Sequence, residues 1–354
     1  MSFQKERPVA FQEKVLDETS ARIERHLSSL WEAQQEMEAV AFGKTLLLID
    51  TTMGNPSVLM EKGIGQLRER GWSQLAELYL QKLFGGRVPE NSLEIFQQFL
   101  GPTVSLQHAD IRKRPTKVGK EEIDAVLFSG SPADVSKAVG SPDEKITIGG
   151  KEVEFTHRFV LQTAGRLYEQ AAEQDIPVLG ICYGHQLVSH LKGGNVRPMT
   201  RYVKGKTHVQ PTEYGAKFLA GVFGQSPALK GNIATFQGES VFAPGERSTL
   251  LLQADSEAPN MIQGLMHVSE KLSGDTISDA ERVKQLLADS RHAALTVQGH
   301  PEYTGALPLI QFGIEGDLSA FAGGSEDAWI ADQMLQLFSR FLAQYGNITQ
   351  RRSI

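Results

Sequence analysis

Cysteine is almost absent from this sequence, which has one thiol, Cys182, among 354 residues. A single thiol cannot close an internal disulfide, and this excludes the small disulfide-stabilised folds of secreted proteins. Long apolar runs are missing too, since stretches such as TLLLI are far shorter than the ~20 residues of a transmembrane helix. The opening stretch, MSFQKERPVAFQEKV, lacks the apolar core of a secretory signal. We therefore expect a cytoplasmic protein with no membrane partner.

A surplus of basic charge is also lacking. The sequence has 36 Lys and Arg residues but 42 Asp and Glu residues, which gives a formal net charge of -6 at pH 7. Because no long basic run offsets this balance, it argues against a nucleic-acid partner. Neither a P-loop nor a G-x-G-x-x-G pattern is present, so the sequence gives no sign of a bound nucleotide. We expect no cofactor and no metal site.

What the sequence does contain is an alternation of apolar runs and helical patterns, which predicts an α/β fold. Continuous apolar runs are typical of strands that are buried on both faces of a parallel sheet. Shorter runs between about 195 and 254, interrupted by Gly and Pro, predict a small antiparallel portion, and KITIGGKEVEF predicts a hairpin at 145–155. The strands predicted for a mostly parallel central sheet, flanked by helices, are 44–50, 103–110, 123–130, 176–182 and 293–299.

A long helical pattern precedes the first predicted strand, at 9–43. Its apolar residues recur at spacings that share one face. This pattern indicates a helix packed on the main domain or, alternatively, a helix that binds a partner or a second copy. The residues expected on the apolar face are Val15, Ile23, Leu27, Leu30, Trp31 and Met37.

The chain is predicted to consist of a helical extension, one main domain and a short tail. The predicted boundaries are 1–43 for the N-terminal helical extension, 44–345 for the main domain, 140–157 and 268–292 for two inserts within it, about 326–345 for its last helix, and 346–354 for the tail.

The single cysteine lies in VLGICYGHQL, where a predicted strand runs directly into a predicted helix. A G-x-C-x-G pattern at such a junction is the thiol version of a nucleophile elbow. Gly180 and Gly184 remove side chains where backbone must come close. The helix beginning at Tyr183 points its free N–H groups at the sulfur of Cys182, which favours the reactive thiolate. The alternative is a buried structural cysteine.

A thiol nucleophile needs a base, and the base needs an orienting group. The stretch LTVQGHPEYTG places His300 after a predicted strand and Glu302 two residues later, with Pro301 stiffening the link. Such spacing lets Glu302 hold one nitrogen of the imidazole while the other faces the sulfur. A lone histidine after a strand is more often a surface or core residue, but the His-Pro-Glu setting favours catalysis.

Acyl transfer also needs hydrogen-bond donors for the oxyanion of the tetrahedral intermediate. The stretch FSGSPADV predicts a turn at the C-terminal end of a strand, and its backbone N–H groups can serve. Preorganised donors of this kind contribute about 3–4 kcal/mol apiece. We expect the N–H groups of Ser131 and Tyr183 to form the oxyanion hole, although S-G-S-P alone is only a turn.

Together, G-I-C-Y-G-H-Q, S-G-S-P and Q-G-H-P-E resemble the motifs of the class I glutamine amidotransferase superfamily, in the family's order over about 44–345. The resemblance implies a flavodoxin-like α/β fold and a Cys-His-Glu triad that hydrolyses a γ-glutamyl amide through a thioester. It implies that Cys182 is the nucleophile, His300 the base and Glu302 its orienting group.

The resemblance also implies a set of substrate contacts. It extends to TFQGESV, which matches the family's S-H-x-D-x-V segment with two departures: Gln237 replaces the usual His, and Glu239 the usual Asp. The other motifs depart as well, with G-S-P for G-G-P and Q-G-H-P-E for Q-F-H-P-E. The expected substrate-binding residues are Gly130, Gln186, Gln237, Gly238 and Glu239.

Amidotransferases of this superfamily pass ammonia to a synthase, yet no segment of this sequence is long enough for a synthase domain. The sequence therefore favours a stand-alone hydrolase of γ-glutamyl amide or peptide bonds in a small-molecule substrate, similar to the γ-glutamyl peptidase-like branch. One alternative is a glutaminase subunit that feeds a separate synthase partner. Another is a non-catalytic scaffold with the same fold.

Overall fold

The computed structural model describes residues 9–52, 57–115, 117–118, 122–148, 150–223, 229–254, 262–268, 292–315, 321 and 330–351. The strands are β1 (Thr45–Asp50), β2 (Ser105–Asp110), β3 (Ala125–Phe128), β4 (Lys145–Ile148), β5 (Lys151–Thr156), β6 (Val178–Ile181), β7 (Asn195–Pro211), β8 (Gly231–Ala243), β9 (Ser248–Ala254), β10 (Ile262–His267) and β11 (Ala294–Val297). The helices are α1 (Val9–Ala41), α2 (Ser57–Glu69), α3 (Ser73–Leu78), α4 (Ser92–Leu100), α5 (Val135–Gly140), α6 (His157–Glu173), α7 (Tyr183–Leu191), α8 (Glu213–Phe223), α9 (Leu307–Glu315) and α10 (Ala331–Arg351). Short helical turns cover Tyr79–Leu83, Ile111–Lys113 and Pro301–Ala306.

A nine-stranded sheet forms the centre of the molecule, in the order β2-β1-β3-β6-β11-β10-β9-β7-β8. The first five strands in this order are mutually parallel. The remaining four are antiparallel to their neighbours and extend the same sheet. The predicted α/β class, with a mostly parallel central sheet flanked by helices, is confirmed. Strand β10 was not predicted, because its short sequence IQGLMH has no clear alternation and contains a glycine.

Helices cover both faces of the sheet, as the alternation of side chains along a strand requires. On β1, Leu46 and Leu48 join a core formed with α1, α4 and α10. Leu47 and Ile49, the intervening residues, join a second core formed with α6 and α7. Strands β3, β6 and β11 are buried along their whole length. Their apolar sequences fit that position, between two layers of helices.

The N-terminal helix α1 packs on α10 and α4. The Gln34 side chain donates to the carbonyl oxygens of Gln98 and Phe99 at the end of α4. Four of the predicted core-facing residues, Val15, Ile23, Leu30 and Met37, are buried and Leu27 is partly buried. The prediction for Trp31 is wrong, since this side chain is 61% exposed. It follows Leu30 directly, and one residue turns a helix by about 100°, which carries Trp31 away from the core.

The two predicted inserts differ in what the structure describes. Strands β4 and β5 pair as an antiparallel hairpin within 140–157, as the Gly-Gly turn predicts. The second insert lies outside the described residues apart from its ends, Val268 and His292. The last helix runs to Arg351, so much of the predicted tail is helical. Among the described helices, none combines the length and apolarity needed to cross a bilayer.

Four buried histidines are held neutral by the fold. Burial lowers the pKa of His26 to about 4 and the pKa of His185 and His292 to about 3. Burial, together with His185, Lys192 and His292, places the pKa of His267 well below its ordinary value. The Thr296 hydroxyl lies between two of these rings, 2.9 Å from His185 Nδ1 and 3.1 Å from His267 Nε2.

We predict that the free energy of unfolding falls as the pH drops from 7 to 5. The unfolded chain takes up protons on these histidines near their ordinary pKa of 6.5, whereas the folded chain does not. Below that pH, each histidine should cost about 1.4 kcal/mol per pH unit. Urea denaturation across this range measures the slope, and a His292→Asn variant should have a shallower one. A free energy that is constant from pH 7 to 5 would contradict the account.

Candidate active site

Three adjacent parallel strands bring the candidate residues together. Strands β3, β6 and β11 are neighbours in the sheet, and their carboxyl ends lie at one edge. The loop 129–134 follows β3, Cys182 follows β6, and His300 follows β11. Ligand sites of open α/β sheets form at this edge, because the loops that follow parallel strands meet there. Three segments that are far apart in sequence thus reach one place.

Cys182 occupies a strained turn between β6 and α7. Its backbone has φ 53° and ψ −101°, which a residue with a side chain adopts only under constraint from its surroundings. A Cβ atom at Gly180 would lie 2.9 Å from the backbone of Gly184, and one at Gly184 would lie 2.7 Å from the Phe128 oxygen. Both glycines therefore allow the backbone segments around Cys182 to pack closely. The strained turn between β6 and α7 has the geometry of a nucleophile elbow.

His300 and Glu302 lie in the turn that follows β11. His300 Nδ1 is 2.8 Å from Glu302 Oε1, and their side chains are only 7% and 1% exposed. The His300 ring also stacks on Tyr303, with ring centroids 5.0 Å apart. A Cβ atom added at Gly130 would lie 2.6 Å from His300 Cε1 and 3.5 Å from Cys182 Cβ. The imidazole and the thiol side chain therefore flank the same point, and only a glycine fits between them.

The charge of this cluster is set by competing effects at His300. Burial lowers the pKa of His300, but the negative charges of Cys182 and Glu302, with their hydrogen bonds, outweigh it and raise that pKa to about 10. The imidazolium is therefore favoured at neutral pH, when a thiolate faces it. A proton held between the thiol and the imidazole can be passed to a leaving amine.

The loop after β3 is fixed by Thr51, at the end of β1. The Thr51 N–H donates to Ser129 Oγ at 2.9 Å, and its hydroxyl donates to the Ser129 and Gly130 carbonyls at 3.0 and 2.9 Å. In a trans peptide the N–H points opposite to the C=O, so the N–H of Ser131 points away from Thr51. The N–H of Tyr183 is one of the first in α7, which have no partner within the helix. Both candidate oxyanion donors thus belong to rigid segments.

Comparisons with known proteins agree with this geometry. A family model described as "Glutamine amidotransferase class-I" matches residues 95–307. The protein belongs to the class I glutamine amidotransferases. This match covers more than half of the chain and includes the thiol, the candidate oxyanion loop and the His-Pro-Glu turn.

Individual relatives of this amidotransferase are distant. A GMP synthase [glutamine-hydrolyzing] subunit from Saccharolobus solfataricus is 26% identical over 174 residues, which are 47% of this chain and 73% of that protein. GMP synthase [glutamine-hydrolyzing] from Bacillus velezensis is 49% identical over 45 residues, which are 13% of this chain but only 9% of that protein. The chain therefore spans a small part of the longer GMP synthases it matches.

Solved structures are similar over most of the chain at low identity. A glutamine amidotransferase from Thermotoga maritima is 15% identical with a TM-score of 0.47, over 84% of this chain and 98% of that one. A protein from Thermoplasma acidophilum, described as a GMP synthase subunit, is 14% identical with a TM-score of 0.45, over 88% and 98%. The family assignment rests on the sequence match and not on these likenesses.

Of the predicted substrate-binding residues, Glu239 has its carboxylate engaged within the protein, and the substrate contact expected of the backbone near it stays a prediction. Its carboxylate accepts hydrogen bonds from the N–H groups of Val135 and Ser136, at 2.6 and 3.0 Å, and from the Ser136 hydroxyl. It is 3% exposed, and burial, opposed by these bonds, raises its pKa. Through its carboxylate, Glu239 thus ties β8 to the start of α5. The longer side chain reaches a helix terminus, which sequence comparison alone could not reveal.

The two predicted glutamines are also engaged within the protein. Gln237 is 3% exposed, with its Nε2 3.4 Å from the Met199 sulfur. Gln186 donates to the Glu239 carbonyl at 3.1 Å. Gly238, in contrast, borders open space, since a Cβ there would contact only the ring of Tyr202, at 3.5 Å. Gly130 lies between the imidazole and the thiol, as described above.

Sequence reasoning missed several residues of the site. Thr51 lies in a loop without a recognisable motif, and Tyr303 follows the triad motif directly. Gln298 begins the Q-G-H-P-E motif, yet only the histidine and glutamate were assigned roles. Its Nε2 lies 3.7 Å from the sulfur of Cys182. Its place within the motif, two residues before His300, was the available signal in the sequence.

A Glu302→Gln variant tests the charge arrangement. The Glu302 carboxylate helps to raise the pKa of His300, so its removal should lower that pKa. We expect the alkaline decline of kcat/KM for amide hydrolysis to move to lower pH, with residual activity because glutamine can still accept from Nδ1. A Glu94→Gln variant, altered on the surface, provides the control. An unchanged alkaline limb in Glu302→Gln would show that Glu302 does not set the charge of His300.

Proposed function

We propose that this amidotransferase is a cysteine-dependent hydrolase of γ-glutamyl amide or peptide bonds, acting through a γ-glutamyl thioester on Cys182. The observation that carries the proposal is the cluster of a strained thiol, an imidazole beside it and a buried carboxylate 2.8 Å from the far nitrogen of that imidazole. Membership of a family of glutamine amidotransferases supports the same bond type.

In the proposed first step, the thiolate of Cys182 attacks the γ-carbonyl carbon and a C–S bond forms. The N–H groups of Ser131 and Tyr183 hold the resulting oxyanion. As the tetrahedral intermediate collapses, the C–N bond breaks and His300 gives its proton to the leaving amine. The amine departs, and the acyl group stays on the sulfur.

In the second step, neutral His300 takes a proton from water, whose oxygen attacks the thioester carbon. The C–S bond breaks, the thiolate is restored with the imidazolium beside it, and the γ-carboxylic acid leaves and gives its own proton to the solvent. Glu302 keeps the ring oriented through Nδ1 in both steps, so that Nε2 exchanges the proton. Neither step needs a redox partner or an added group.

The leaving amine is proposed to be larger than ammonia. The backbone of Gly238 and the 60% exposed side chain of Tyr202 border the space that the substrate would occupy in this proposal. The hairpin β4–β5 adjoins this region, because His157, just after β5, accepts a hydrogen bond from the Asp134 N–H in the loop after β3. We place the first insert at the rim of the cleft on this basis.

A leaving-group series tests this substrate class. We expect the purified chain to hydrolyse a γ-glutamyl amide of a bulky amine with a higher kcat/KM than glutamine, because the extra contacts act in the transition state. Release of amine or ammonia is the measurement. The Cys182→Ala variant should fold and show no turnover, and full activity in it would end the thiol mechanism. Glutamine as the best substrate would end the preference for a larger amine.

A second candidate function is that of a glutaminase subunit for a separate synthase. The similarity to one subunit of the glutamine-hydrolysing GMP synthase of Saccharolobus solfataricus favours it. In that case, glutamine hydrolysis by the isolated chain should be weak and should rise when the synthase is added. Full turnover of a γ-glutamyl amide by the chain alone would favour the hydrolase.

A further inference from the structure

Two linked, buried glutamine side chains reach the sulfur of Cys182. The Gln298 side chain is fully buried, with its Nε2 3.7 Å from Cys182 Sγ. Its Oε1 accepts from Gln186 Nε2 at 3.3 Å. The same Nε2 donates to the Glu239 carbonyl oxygen at 3.1 Å. These contacts connect β8, α7 and the turn after β11 through two glutamines.

The Glu239 carbonyl determines which end of each of these two glutamine side chains is the NH₂ group. A carbonyl can only accept, so the group of Gln186 that faces it must be the NH₂. Its second N–H then meets Gln298, which must present its oxygen. The remaining end of Gln298, directed at Cys182, is therefore its own NH₂ group. The Glu239 carbonyl, a backbone acceptor, therefore determines the positions of nitrogen and oxygen in both side-chain amides.

The sulfur has a second neighbour that distinguishes its two protonation states. The Phe236 carbonyl oxygen lies 3.9 Å from Cys182 Sγ, where it can accept a hydrogen bond from the thiol. That oxygen repels a thiolate, whereas the amide of Gln298 attracts one. When the thiol loses its proton, its favourable hydrogen-bond partner therefore changes from the Phe236 carbonyl to the Gln298 amide. A donor that strengthens as negative charge develops favours the charged form.

We propose that Gln298 is a further catalytic residue, whose amide N–H stabilises the thiolate of Cys182, and that Gln186 is the positioning residue that holds it. The role rests on the proposed function in that Cys182 is the nucleophile. It does not depend on which amine leaves, because the contact is made with the free enzyme. Gln186 thereby has a structural role beside the substrate contact that the family resemblance implies.

Other groups act on the same sulfur and must stay constant in a test. Among the described residues, the titratable groups that interact with the charge of Cys182 include His300 and Tyr303, from the turn after β11, and Tyr202, from β7. Glu302 acts through His300. None of these is changed by substitution of Gln298 or Gln186, so a shift in the titration of the thiol reports the amide.

The test is the pH dependence of alkylation by iodoacetamide, which is uncharged. Since the chain has one cysteine, every label reports Cys182. The variants are Gln298→Met, which keeps the volume and removes the donor, Gln298→Asn, which keeps the amide and shortens its reach, and Gln186→Met. The control is Gln263→Met, because the Gln263 side chain is also buried but has no hydrogen-bond partner among the described residues.

We expect the pH of half-maximal alkylation to rise by about one unit in both Gln298 variants, which corresponds to a ~10-fold smaller thiolate fraction at a pH well below the midpoint. Gln186→Met should shift it by less, and Gln263→Met should leave it unchanged. The plateau at high pH should not fall, because access to the sulfur does not change and a thiolate of higher pKa is at least as nucleophilic. If Gln298→Met fails to fold, the Asn and Gln186 variants decide alone.

Equal midpoints in the wild type and the Gln298 variants would overturn the proposal, and so would an equal shift in Gln263→Met. The proposed function fails separately. If no γ-glutamyl amide is turned over but the midpoint still shifts, Gln298 acts on the thiol of an enzyme with another substrate. If turnover is normal and the midpoint does not shift, the function stands without Gln298.

Discussion

The backbone of Cys182 is held at a positive φ, in a conformation that its surroundings must impose. The constraint comes from two sides. Its own N–H donates to the Val297 oxygen on β11 at 2.8 Å, and its carbonyl accepts the Gln186 N–H in α7 at 3.1 Å. The cysteine is therefore the last residue bound to the sheet and the first bound to the helix. The imidazole of His300, the loop after β3 and the side chain of Gln298 all lie close to this residue.

Because the site is buried, its stability depends on how its charges are paired as well as on its geometry. A thiolate, an imidazolium and a carboxylate that are removed from water each lose hydration, and this costs several kcal/mol per ion unless each has a close partner. The alternating order Cys182, His300, Glu302 gives every charge an opposite neighbour. The stacked ring of Tyr303 excludes water from one side of the imidazole. Burial alone would suppress the charge of His300, but the two anionic neighbours raise its pKa by more than burial lowers it, so this imidazole stays protonated.

The sequence allowed the α/β class and the three candidate segments of the site to be predicted, because each depends on local pattern. A strand that runs into a G-x-C-x-G turn and a His-Pro-Glu motif are visible within ten residues. Partners that meet only through folding could not be found in this way. The carboxylate of Glu239 reaches the N-terminus of α5 across the sheet edge, and the side chain of Gln298 reaches the sulfur from another strand end. The exposure of Trp31 likewise depends on how α1 is rotated against its neighbours.

The central claim is that the acyl group passes through the sulfur of Cys182. The most direct measurement is intact-mass and peptide mass spectrometry of the protein, quenched in acid soon after mixing with a γ-glutamyl amide. The account predicts a mass increase of one γ-glutamyl group on the peptide that contains Cys182, larger in variants whose deacylation is slowed, and absent from Cys182→Ala. An acyl group found on another residue, or an adduct that persists in Cys182→Ala, would contradict it.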